Sequence, residues 1–136
     1  MRGSISLLLL LPPLLLAGCS NNPLSCVGPS CICVSENTCD FTQDSCGGPA
    51  SCDLFCNSSN VCNGSCGALC SIACTNNSTC TVTVGAGAAV TCQNSSVCHV
   101  TCTGGCSVSC QSSSTCDLTC PSDTSPTSIP NGGQCT

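Results

Sequence analysis

The stretch from Cys92 to Cys110 reads CQNSSVCHVTCTGGCSVSC, with gaps of five, three, three and three residues between successive cysteines, so one unit spans 18 residues. The frame holds on both sides. One unit back it meets Cys74, Cys80, Val84 and Ala88, and two units back it meets Cys56, Cys62, Cys66 and Cys70. One unit forward it reaches Cys110, Cys116, Cys120 and Thr124. A short fixed period predicts a stacked, quasi-one-dimensional architecture, because one small unit cannot bury a face alone and must cover it with its neighbours.

From Cys52 to Cys120 every cysteine falls on an even-numbered position. Leu54, Ile72, Val82, Val84, Ala86, Ala88, Val90, Val100, Val108 and Leu118 share that phase, and the odd positions are mostly Ser, Thr, Asn and Gln. Alternation with period two predicts strands with one buried face. Two kinds of turn separate them. One holds Asn and Ser, as at 57–60, 76–78, 94–96 and 112–114, residue types whose side chains bond their own backbone in turns. The other holds Gly, as at 67–68, 85–86 and 104–105. Each unit is thus two short strands and two turns. Stacking in register at about 4.8 Å per rung predicts an all-β fold, a small disulfide-rich β-solenoid with 18-residue coils. The repeats occupy 33–120, after a leader over 1–18 and an N-terminal tether over 19–32, and before a Pro/Ser/Gly-rich tail over 121–136.

Such a chain lacks an ordinary core. Of its 136 residues only Phe41 and Phe55 are aromatic, and the 41% hydrophobic fraction counts 21 cysteines and an apolar leader. Ordering entropy exceeds what so little carbon can offset, so cross-links must supply the difference. The repeats themselves suggest which cysteines pair. The two flanking the Asn/Ser turn are always both present, whereas the two flanking the Gly turn are present together at 66 and 70 and at 102 and 106, and lost together as Val84 and Ala88. Loss in concert predicts bonding partners: Cys56–Cys62, Cys66–Cys70, Cys74–Cys80, Cys92–Cys98, Cys102–Cys106 and Cys110–Cys116. A disulfide holds its Cβ atoms about 3.8 Å apart, so the sheets must lie closer than the usual ~10 Å. The N-terminal part reads as a degraded unit, with five-residue gaps in Cys33–Cys39 and Cys46–Cys52 and with Asp40-Phe41-Thr42 echoing Asp117-Leu118-Thr119. Cys26 with Cys31, and Cys120 with Cys135, complete the expected set, the last folding the tail over the final rung. Each short loop contributes about 2 kcal/mol on the chain-entropy account.

The single basic side chain is Arg2, in the leader, and the carboxylates are Glu36, Asp40, Asp44, Asp53, Asp117 and Asp123. With no cation to neutralise phosphate, nucleic acid is not an expected partner.

Residues 1–18, MRGSISLLLLLPPLLLAG, combine a charged start, a leucine-rich run and small residues at the end, the plan of an export signal. Leu16-Ala17-Gly18-Cys19 resembles the lipobox of bacterial lipoproteins. The resemblance implies cleavage before Cys19, acylation of Cys19, anchoring in a lipid bilayer and, from Ser20, sorting to the outer membrane of a diderm cell. Several acyl chains on one residue give stable anchoring.

Thiolate metal storage is the sharpest other use of so many cysteines, but metal clusters favour C-x-C and C-x-x-C spacing. Here only Cys31 and Cys33 make a C-x-C, and export favours disulfides. His99 is the one histidine, on an outward position beside Asp117 one unit on. Sequons at Asn57, Asn77 and Asn94 matter only in a eukaryotic host. No carboxylate pair, nucleophile set or phosphate loop has a catalytic setting, so neither an enzyme nor a cofactor is expected. The repeat resembles the cysteine-rich β-solenoid antifreeze proteins of beetles, as in Cys74-TNNST-Cys80 against their turn, and departs from them in its longer period. Their regular threonine rows are also missing: Ser65, Thr83, Thr101 and Thr119 form one outward column, but the next holds Asn63, Thr81, His99 and Asp117. The expected role is an exported, lipid-anchored structural or interaction module with an unidentified protein or polymer partner; metal sequestration and an ice- or ligand-binding face are the alternatives.

Overall fold

The computed structural model describes residues 24–27, 30–33, 38–41, 52–58 and 60–136. Among these every regular element is a β-strand, and the strands fall into two sheets. The first runs in the order β1 (Leu24–Val27), β2 (Ser30–Cys33), β4 (Asp53–Cys56), β6 (Ser71–Cys74), β8 (Ala88–Cys92), β10 (Cys106–Cys110), β13 (Gly133–Cys135). The second runs β3 (Thr38–Phe41), β5 (Val61–Cys66), β7 (Thr79–Val84), β9 (Val97–Cys102), β11 (Thr115–Thr119), β12 (Thr127–Ser128). The chain therefore crosses from sheet to sheet at each turn and returns one rung further on, as a β-solenoid does.

Between β4 and β11 the rungs are parallel and strictly in register. Cys56 lies beside Cys74 and Cys74 beside Cys92, while Cys62, Cys80, Cys98 and Cys116 line up on the facing sheet. Register is held by alternation: a slip of one residue would turn every cysteine and valine outward and every serine and threonine inward. The inward positions are closed to solvent, among them Val82, Val90 and Val100 between the cysteines.

The first coil departs from the period. Cys39 pairs with Cys62 and Thr38 with Val61, an offset of 23 residues (39 to 62) against 18 elsewhere (62 to 80). The odd-numbered excess reverses the parity, so Cys31, Cys33, Cys39 and Phe41 face inward from odd positions. It also gives Cys52 a different place in the coil from Cys39, although a five-residue gap precedes both. Asp53 pairs with Ser71, and the Ser71 amide donates to the Cys52 carbonyl, so Cys52 sits beside Cys70 at a Gly-turn corner. The register of β4 is set by Leu54 and Cys56 filling the core, not by the length of the preceding gap. Cys46 itself lies outside the described residues, as do the leader, Cys19 and the side chain of Cys26. The sheet also starts earlier than the tether assignment allows: β1 and β2 form an antiparallel pair within 19–32 and one residue beyond.

Both sheets end in antiparallel strands supplied by the tail. β12 pairs with β11, and β13 pairs with β10, bringing Cys135 opposite Cys106. An exposed parallel edge would template further pairing, and two short antiparallel strands cover it. Gly132 makes the return possible. It has φ of 102°, and a Cβ there would lie 2.4 Å from the Val108 carbonyl oxygen. Gly64 plays the complementary part at the other end, where the Phe41 carbonyl and ring occupy the space that a side chain would need.

Candidate functional site

The internal column of sulfur is the most organised feature of the molecule. Cys33–Cys39, Cys56–Cys62, Cys74–Cys80, Cys92–Cys98 and Cys110–Cys116 are bridged in succession, with Cα separations between 6.0 and 6.3 Å. The bridges thus hold facing strands far closer, at the bridged corners, than the ~10 Å of ordinary packed sheets, while Phe41, Leu54 and Ile72 fill the core alongside them. A second, interrupted column runs under the Gly turns. Cys66–Cys70 and Cys102–Cys106 span 6.2 and 6.1 Å, and between them stand Val84 and Ala88, fully buried. Cys120–Cys135 ties the tail to the last rung with a Cα separation of 5.4 Å. Cys31 and Cys52 are bridged as well. The structure therefore brings together each of the six pairs expected from concerted loss, together with Cys33–Cys39 and Cys120–Cys135.

Stacking places sulfurs of neighbouring bridges close together. Cys56, Cys74 and Cys80 lie within 4.8 Å of one another, as do Cys74, Cys92 and Cys98, and Cys102, Cys106 and Cys135. Reduced thiolates at that spacing could share a soft metal ion. A bridged sulfur carries no thiolate charge, and every cysteine whose side chain is described is bridged.

The corners carry polar ladders. At the Asn/Ser turns consecutive residues take left-handed conformations, Asn76 and Asn77 at 57° and 61°, Asn94 and Ser95 at 57° and 61°. Asparagine tolerates this region better than most residues. The exposed amides then chain along the stack, Asn94 Nδ2 donating to Asn76 Oδ1 and Asn76 Nδ2 to Asn57 Oδ1, both at 3.0 Å. A second ladder runs inside the corner. Ser78 and Ser96 are buried, and the Ser78 amide donates to Ser96 Oγ and the Ser96 amide to Ser114 Oγ, each at 3.2 Å. Asn60 continues that line by donating to the Cys33 carbonyl. Reading the turns by composition misses this inner ladder, although its signal is present: Asn60, Ser78, Ser96 and Ser114 keep the even-numbered phase of the core straight through the turn.

The outward faces are mostly polar. Ser65, Thr83, Thr101 and Thr119 form an in-register column on the second sheet, flanked by Asn63, Thr81, His99 and Asp117. His99 Nδ1 and Asp117 Oδ2 are 3.1 Å apart across the rung, with the histidine side chain about half exposed. Water screens such a pair, and no third group among the described residues completes a metal or catalytic set around it. On the first sheet Ile32 and Phe55 are register neighbours and both are exposed; Val27, opposite Ser30, also faces solvent. A shallow groove of about 330 Å³ crosses that sheet at Ala89, Thr91, Ser107, Ser109 and Gln134.

No known protein family matches the chain, and no curated protein or solved structure matches it. Its chemistry must be read from the residues themselves.

Proposed function

We propose that this chain is an exported, lipid-anchored structural or interaction module of the bacterial cell envelope, without catalytic activity. The lipobox-like Leu16-Ala17-Gly18-Cys19 would place acyl chains on Cys19, and Ser20 favours the outer membrane. One observation carries the reading: a continuous column of disulfides does the work of a hydrophobic core, so the surface side chains of both sheets are free of that duty. Such a body suits an oxidising compartment. It resists local opening, because each coil is closed covalently and bonded to its neighbours. The exposed Ile32–Phe55 neighbours and the hydroxyl-lined second sheet are the surfaces a protein or polymer partner would meet.

The test is the intact mass of the protein recovered from membranes. The expected mass is that of a chain starting at Cys19, carrying acyl groups and lacking two hydrogens per bridge. A soluble, unacylated chain retaining residues before Cys19 refutes the anchoring, and a chain with mostly free thiols refutes the scaffold and favours metal storage.

A further inference from the structure

The C-terminal end of the sulfur column has features that the rest lacks. Among the cysteines whose side chains are described Cys120 alone is half-buried, and it lines a cleft of about 220 Å³ with Leu118, Asp123, Thr127 and Ile129. Its bonding partner Cys135 is buried and lies directly opposite Cys106 in the antiparallel pair β10–β13. The sulfurs of Cys102, Cys106 and Cys135 lie within 4.8 Å of one another. Directly opposed residues of an antiparallel pair have Cα atoms about 4.5 or 5.5 Å apart, and either separation lies inside the range a disulfide spans. Cys106 can therefore be bonded to Cys102, as found, or to Cys135, with little movement of the backbone.

We propose that Cys120 is a thiol-accepting site: a small-molecule thiol entering the cleft forms a mixed disulfide there, and Cys106 captures the displaced sulfur. The incoming thiolate attacks Cys120 Sγ, forming the new S–S bond, and the Cys120–Cys135 bond breaks with its electron pair leaving on Cys135. The Cys135 thiolate then attacks Cys106 Sγ, forming Cys106–Cys135 and expelling Cys102 as a thiolate, which takes a proton from water. Two disulfides and one thiolate enter, and two disulfides and one thiolate leave, so no external oxidant or reductant is needed beyond the thiol itself. Once Cys106–Cys135 has formed, the cap is again tied to the stack by a disulfide. The exchange does not pass below Cys102 and Cys106, because the next rung there offers Val84 and Ala88 in place of sulfur. The missing bridge thus separates an exchangeable end from the Cys66–Cys70 rung.

The experiment treats the oxidised full chain with a few equivalents of reduced glutathione, quenches with a maleimide and maps the peptides. The expected products are glutathione on Cys120, a Cys106–Cys135 bridge and maleimide on Cys102, with the other described bridges unchanged. Glutathione spread over several rungs, or maleimide on Cys135 with Cys102–Cys106 intact, overturns the proposal. A Cys120→Ser variant examines the capture step alone. Its unpaired thiol is expected at Cys102, with Cys106 bonded to Cys135; an unpaired Cys135 refutes the capture.

Discussion

Installing the missing rung is the most direct probe of the disulfide scaffold. Val84 and Ala88 are each 1% exposed or less, and they lie between the Cys66–Cys70 and Cys102–Cys106 bridges, whose Cα separations are 6.2 and 6.1 Å. In-register stacking gives the 84–88 pair nearly the same separation, well within disulfide range. In the double substitution V84C/A88C, closing so short a loop adds about 2 kcal/mol by the chain-entropy account. Losing the valine methyls costs about 1 kcal/mol, the scale of removing a small buried apolar group. The net expectation is a gain of about 1 kcal/mol. For a slope of about 3 kcal/mol/M this raises the guanidinium midpoint by roughly 0.3 M, measured without reductant. Intact mass should also fall by two hydrogens relative to the unbridged double variant. Introduced thiols that react with maleimide in the native protein, or a lowered midpoint, would contradict the account of how rungs close. An intact third bridge with unchanged stability would show instead that the valine rung already matches a sulfur one.

Other outcomes follow from the same physics. Complete reduction should abolish the β-sheet circular dichroism signal, because the remaining aliphatic core is too thin to offset ordering entropy; a spectrum unchanged by reductant would refute this. Gly132→Ala should cost about 1–3 kcal/mol of local stability through left-handed backbone and contact with the Val108 carbonyl, read as faster proteolytic nicking between Cys120 and Cys135. Asn94→Ala removes one rung of the amide ladder and places alanine at φ of 57°, for an expected loss of about 1 kcal/mol in denaturant unfolding, whereas Asn94→Gly should lose less because the backbone strain is relieved. Asp117→Asn should change stability by less than about 1 kcal/mol, since the pair with His99 is exposed to water.

Repetition makes much of this molecule legible in its sequence. The even-numbered phase of cysteines and valines assigns the inner face of each strand, and the joint absence of sulfur at Val84 and Ala88 points to bridges within a coil. Both inferences use only local spacing, and a period of two or of one coil is a local property. The first coil is harder. Its 23-residue offset follows from where Leu54, Cys56 and Phe41 find space, and the identical five-residue gap before Cys52 conceals that difference. The inner serine ladder is likewise hidden by composition, since serine in a turn reads as solvated unless its phase is followed.

What the amino-acid order determined by itself was the coil length, the buried face and the partners of the bridges, because each is set by neighbours within one unit. What tertiary structure alone decided was the register of the first coil and the residues that the returning tail meets. Cys106 faces Cys135 because an antiparallel tail closes the stack, and Cys102, Cys106 and Cys135 converge because that tail lands on their rung. The leftover Cys120 and Cys135 announce that the tail returns, but which rung residues it meets depends on the path of the backbone, and spacing along the sequence carries no record of that path.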